Sequence, residues 1–251
     1  MKTTKQLLAI GFLLIPCIVF SQGTETRKPS SFTKIDVSGA FDTFVEQGDE
    51  ESVRIEAEGI DPKKIITEVN QNSLKVYVEK GNYQDIRTKV YITYKRLEGI
   101  ARGGSGDLNC KSDISATNVK ISSSGSGNIS IKGKIKAQQH LLIAVSGSGD
   151  AQLGVLAADD LDLSISGSGD VQVSSGDVKK QSLRISGSGD ISAFGLKSDI
   201  CSISIAGSGD VNVTANKSLE ATIAGSGDVN YKGNAQLTKS RITGSGEIKR
   251  H

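Results

Sequence analysis

Gly-Ser-Gly triplets begin at Gly104, Gly125, Gly147, Gly167, Gly187, Gly207, Gly225 and Gly244, at steps of 21, 22, 20, 20, 20, 18 and 19 residues. A unit that short cannot bury an apolar face alone, so a fixed period near twenty means stacked coils sharing one continuous core. The most regular copies are Gly147-Ser148-Gly149-Asp150, Gly167-Ser168-Gly169-Asp170, Gly187-Ser188-Gly189-Asp190 and Gly207-Ser208-Gly209-Asp210. These sixteen residues are read as a structural turn motif.

Side chains alternate faces along a strand, so parity sorts each unit into an inner and an outer set. Two residues before the first glycine stand Ser123, Val145, Ile165, Ile185, Ile205, Ile223 and Ile242. Directly after the acidic position stand Leu108, Ile129, Ala151, Val171, Ile191, Val211, Val229 and Ile248. Two such columns precede the glycines and two follow them, mostly aliphatic or β-branched, as a stacked interior requires. The interleaved column Asn109, Ser130, Gln152, Gln172, Ser192, Asn212, Asn230 is polar and uncharged, which avoids like-charge repulsion in an in-register ladder. Parity continues through the triplet, placing both glycines inside and Ser168 and Asp170 outside. A tight corner follows, with no inner room for a Cβ and with serine and aspartate capping freed N–H groups. Each glycine costs about 0.5–1 kcal/mol in chain entropy, so its return in every coil marks a geometric demand. The far side of each coil is expected to be a variable loop, such as Ser174 to Lys180.

The N-terminus reads as a removable leader over residues 1–21: Lys2 and Lys5 precede an apolar run from Leu7 to Phe20, too short and too early for a stable membrane span. Pro16 before Cys17 fits lipidation poorly. Residues 22–31 are polar and contain Pro29, and are expected to be a flexible lead-in to one domain over 32–251. The chain has 30 Lys+Arg against 28 Asp+Glu, and loss of Lys2 and Lys5 leaves the balance even. A basic face for nucleic acid is therefore not expected. Cys110 and Cys201 lie about four coils apart, on the order of 19 Å at strand spacing, whereas bridged Cα atoms sit within about 7 Å. They read as buried free thiols.

Residues 32–101 are a degenerate version of the repeat, read as atypical coils or a capping β-sheet that protects an open edge; residues 102–251 carry the regular units. Ile35-Asp36-Val37-Ser38-Gly39-Ala40-Phe41-Asp42 matches the motif with Ala and Phe in place of Ser and Gly, and Gly59 and Gly81 continue the spacing. An exported chain with a Val-Ser-Gly-Ala-Phe-Asp opening and serial Ile-Ser-Gly-Ser-Gly-Asp units resembles the auto-transporter adhesin "head GIN domain" family of Bacteroidetes-type bacteria. The resemblance spans roughly residues 32–248. It implies an all-β, right-handed parallel β-helix with a surface role, and brings no catalytic residues. Asn128 and Glu247 depart from its aspartate.

The acidic column Asp107, Asn128, Asp150, Asp170, Asp190, Asp210, Asp228, Glu247 lacks the nine-residue spacing of a calcium β-roll and reads as turn caps. Carboxylates one coil apart approach the separation in retaining glycosidases, but every pair is equivalent and none is singled out. The chain has two histidines; His140 reads as a solvated loop residue and His251 is terminal. No zinc spacing, phosphate loop or dinucleotide fingerprint occurs. The expectation is a non-enzymatic exported module without cofactor, periplasmic, surface-held or secreted, binding a glycan or an envelope protein. The alternative is a polysaccharide lyase or hydrolase, for which the segments Lys132 to His140 and Ser174 to Gln181 are the nearest interruptions of the repeat.

Overall fold

The computed structural model describes residues 23–83 and 87–251; the expected leader over 1–21 lies outside them. Beyond one 3-10 turn at Pro62–Lys64, every regular element among the described residues is a strand. The first group comprises β1 (Gly23–Arg27), β2 (Lys34–Gly39), β3 (Asp42–Gln47), β4 (Ser52–Glu58), β5 (Ile65–Asn70), β6 (Ser73–Val78) and β7 (Arg87–Tyr94). The coils follow as β8 (Gly99–Gly104), β9 (Leu108–Cys110), β10 (Ile114–Gly125), β11 (Ile129–Ile131), β12 (Ile135–Gly147) and β13 (Ala151–Gly167). The stack continues with β14 (Val171–Gly187), β15 (Ile191–Gly207), β16 (Val211–Gly225), β17 (Val229–Lys232), β18 (Gln236–Gly244) and β19 (Ile248–Arg250).

Successive coils pair in parallel and in register. Ile165 lies opposite Ile185, Ile185 opposite Ile205 and Ile205 opposite Ile223, and all four are at most 2% exposed. The result is a parallel β-helix of about eight turns. Its interior holds the columns that alternation assigns there as far as Ile223 and Val229, each buried Val, Ile or Leu contributing about 1.5–3 kcal/mol. In the last coil Ile242, assigned to the same column, is 43% exposed and Ile248 is half-buried.

The far side of the coil is not a loop. Val155 to Ala158 pair with Ser175 to Val178, and Asp160 pairs with Lys180, so Ser174–Lys180 is ladder. Backbone pairing tolerates a variable sequence here because Gly176 (φ +143°) carries the bend and Leu156 and Leu196 keep the inner face filled. His140 likewise lies in β12, opposite Asp160, and is not a loop residue.

Residues 49–96 depart from the coil period altogether. Gly39 stacks directly on Gly104, with β2 held between β6 and β8 and β3 between β7 and β9. Gly59 and Gly81 are therefore not corners. Three antiparallel pairings, β5 on β6, β4 on β7 and β1 on β4, close this end, since an antiparallel strand can return through a short turn. Ile55, Ile65, Leu74, Val76, Val90 and Ile92 fill the space beneath.

The segment 22–31, expected to be flexible, includes β1, paired with β4 from Gly23↔Ala57 to Arg27↔Val53. Arg27 pins it: the guanidinium donates to Ile65 O, to Pro62 O at 2.9 Å and to Thr67 Oγ1 at 3.0 Å. Cys110 and Cys201 are buried and unbridged.

Candidate binding face

At each corner the two glycines answer different demands. The first takes a left-handed φ, +130° at Gly167 and +134° at Gly187, which costs other residues about 1–2 kcal/mol. The second, as at Gly169, has no such φ, but a Cβ there would fall within the contact radius of Gly149 O in the coil before. The obstruction is thus the neighbouring coil rather than the helix interior. Gly147 O accepts from Ser168 N at 2.9 Å and Gly169 N at 3.1 Å, so the corner backbone is satisfied between coils.

The acidic column closes the remaining bonds. Asp107 Oδ1 accepts from Asn128 N at 2.8 Å, Asn128 Oδ1 from Asp150 N at 2.9 Å, and Asp150 Oδ1 from Asp170 N at 2.9 Å. The series continues through Asp170, Asp190, Asp210 and Asp228, which receives Glu247 N. Asp42 extends it backwards, accepting from Asp107 N at 3.1 Å. Each carboxylate therefore caps the next coil, not its own turn. Among the described residues the hydroxyls of Ser148, Ser168, Ser188 and Ser208 make no such bond, because the N–H groups within reach are already held. Their role is to stand outward at the bend.

Beyond the corner the outer surface is flat and regular. Asn109, Ser130, Gln152, Gln172, Ser192, Asn212 and Asn230 stand opposite one another in sequence. Neighbouring amides engage where geometry allows, as when Asn230 Nδ2 donates to Asn212 Oδ1 at 3.1 Å. The column continues into Phe44, Tyr91 and Arg54, each opposite the next. Phe44 stacks on Tyr91 with centroids 5.1 Å apart, and the Arg54 guanidinium lies 3.9 Å over the tyrosine ring. Tyr91 OH donates to Glu56 at 3.0 Å. Sequence reasoning missed this aromatic end, although Phe44 lies two residues after Asp42 just as Asn109 lies two after Asp107. A second aromatic, Phe194, carries Lys232 over its ring at 4.5 Å.

The segments considered for catalysis gather no acid–base set. Ser174 to Gln181 is regular ladder, with Gln181 turned inward onto Ser198 Oγ at 2.9 Å. His140 Nε2 sits 3.5 Å from Asp162 Oδ2 on the surface of the face before the corner.

Fold and corner together define a class: a parallel β-helix whose coils are locked by a side-chain-to-backbone ladder and closed at one end by antiparallel strands. The model of the family described as "Putative auto-transporter adhesin, head GIN domain" matches residues 31–139 and 120–235. The chain belongs to that family. It is similar to a crystal structure described as a "putative adhesin" from Parabacteroides merdae, at 24% identity and a TM-score of 0.85 over 91% of this chain and 95% of that one. A structure from Parabacteroides distasonis described as a "putative lipid binding protein" is 28% identical, with a TM-score of 0.80 over 91% of this chain and 96% of that one. A "putative adhesin" from Bacteroides fragilis is 25% identical, with a TM-score of 0.64 over 92% and 97%. No curated protein matches the chain. No helix among the described residues is long and apolar enough to cross a membrane.

Proposed function

We propose that the protein is an exported, non-enzymatic binding module of adhesin type, and that the amide face running from Phe44 to Asn230 holds a linear glycan. The observation that carries this reading is the register of the face. Donor–acceptor side chains repeat at every coil, about 4.8 Å apart, along a column with no formal charge from Asn109 to Asn230. It is flanked by the corner carboxylates on one side and by Lys111, Lys132 and Lys232 on the other. Amides and hydroxyls in such a row can exchange hydrogen bonds with the hydroxyls of an extended sugar chain, and the Phe44–Tyr91 end offers apolar edge contact. Many equivalent weak contacts favour holding over turnover. The corner carboxylates from Asp150 to Asp228, the groups a hydrolase would need, are each engaged by the backbone N–H of the next coil.

The lipid-binding name of one relative is less well supported for this chain, because the interior columns pack side chain on side chain. The test is a glycan array probed with the wild type and with Gln152→Ala/Gln172→Ala, together with absorbance assays on uronic-acid polymers. Array binding lost in the double variant, without unsaturated products, is the expected result. Product formation would replace this reading with a lyase.

A further inference from the structure

The face before the corner carries a groove of about 490 Å³ between β2, β8, β10 and β12. Its floor exists because the outer column Lys34–Gly99–Lys120 has no side chain in its middle member. Gly99 differs from the corner glycines. It has no left-handed φ, and a Cβ would meet Lys120 O at 3.3 Å and Lys34 Cγ at 3.5 Å, a tight fit rather than a collision. Gly99 opens β8, and a glycine in a strand often marks a place where a ligand or another backbone comes close.

The surrounding groups point to the occupant's chemistry. Lys34 and Lys120 are exposed, flank Gly99, and have no carboxylate partner among the described residues. Glu98, at the groove edge, is taken by Arg96 at 3.0 Å and by Thr33 Oγ1 at 3.3 Å. Asp36 and Ser122 flank Ala101 in the next column. A register shift after Ala116 brings Asn118 beside His140, and Leu142 forms an apolar wall. Two free ammonium groups over a shallow apolar floor, rimmed by hydroxyl, amide and carboxylate groups, match a pyranose ring that bears a carboxylate.

We propose that this groove binds a uronic acid residue, its carboxylate between Lys34 and Lys120, its hydroxyls at Asn118, Ser122 and Asp36, and its C–H face on Ala101 and Leu142. The site is separate from the amide face and stands or falls independently of it. The experiment is calorimetric titration of the full chain at low salt with a galacturonic acid trisaccharide, a neutral galactose trisaccharide and acetate. The expected result is binding of the acidic trisaccharide alone, at least tenfold weaker in Lys34→Ala/Lys120→Ala and in Gly99→Leu, and weakened by added salt. Lys34→Gln/Lys120→Gln keeps the side-chain stems, so loss of binding there with an unchanged thermal melt isolates charge from folding. No binding of the acidic trisaccharide, equal binding of the neutral one that persists in Gln152→Ala/Gln172→Ala, equal binding of acetate, or indifference to both double lysine variants would each overturn the proposal. If Gln152→Ala/Gln172→Ala abolishes binding while the lysine variants do not, the amide face is the uronate site and this groove is not.

Discussion

Asp150 Oδ1 accepts the backbone N–H of Asp170 at 2.9 Å, while the Asp150 N–H is itself held by Asn128 Oδ1 at 2.9 Å. One residue thus gives and receives along the stack. Asn128 shows that the acceptor oxygen matters and the charge does not. Asp170→Ala should cost about 1–2 kcal/mol by leaving Asp190 N unpaired, whereas Asp170→Asn should be close to neutral. Glu247, which receives no N–H among the described residues, should tolerate Ala. Urea midpoints for the three variants check the order.

The glycine demand makes a sharper contrast. Gly169→Ala pushes a Cβ onto Gly149 O, and Gly167→Ala adds a left-handed φ to a clash with Gly147 O. Both should destabilise by more than about 2 kcal/mol. Gly99→Ala, with its nearest atom at 3.3 Å, should stay within about 1 kcal/mol of wild type. Thermal melts of the three variants separate corner geometry from general intolerance of glycine replacement.

Arg102 occupies the inner column between Val37 and Ser123 and is 3% exposed. Its Nη1 donates to Gly104 O at 2.6 Å, but Nη2 has no partner. Burial pushes the guanidinium below its ordinary value, opposed by the fields of Asp107 and Asp42. A buried cation so incompletely paired stabilises less than an apolar side chain of similar size, and Arg102→Met, which keeps a long unbranched stem, should be neutral or stabilising. A urea midpoint lower for Arg102→Met but not for Arg102→Lys would show that the column needs the charge.

Cys201 is fully buried, and burial pushes its thiol up to about 12, opposed weakly by the neighbouring Gln181 amide. The native state therefore keeps this proton after the unfolded chain has released it. Stability contributed by the neutral thiol is complete below the ordinary thiol value and declines as pH rises toward 12, by on the order of 1 kcal/mol per pH unit. Stability curves between pH 8 and 11 should fall more steeply for wild type than for Cys201→Ala. A thiol reagent at pH 8 should label neither Cys110 nor Cys201 until the protein is unfolded.

The coils were legible because one constraint repeats. Alternation around Ile165, Gly167, Gly169 and Val171 assigns faces without reference to any other part of the chain. The far side escaped the same reading because Ser174, Ser175 and Gly176 carry no column signal, although their backbone pairs as regularly as that of Ile185. The cap was hidden for a different reason. Pairing of β5 with β6 is a local antiparallel hairpin and that of β4 with β7 an antiparallel return around it, so the positions of Gly59 and Gly81 imitate a period that the chain does not follow. The aromatic end was within reach by aligning Asp42 with Asp107. The groove at Gly99 was not, since it depends on which residues flank a glycine across coils 65 and 21 positions away.

The first coil is sandwiched. Asp42 meets Asp107 across 65 residues of chain, so β2 and β3 lack one set of neighbours until the cap and the next coil have both formed. Every later unit needs only the rung beneath it. Assembly should thus begin with one slow, long-range closure near the N-terminus and proceed by rapid accretion, in the way a crystal grows from its seed. Units could then be gained or lost toward the C-terminal side by whole rungs without disturbing that seed, which makes the reach of the molecule an easily varied property.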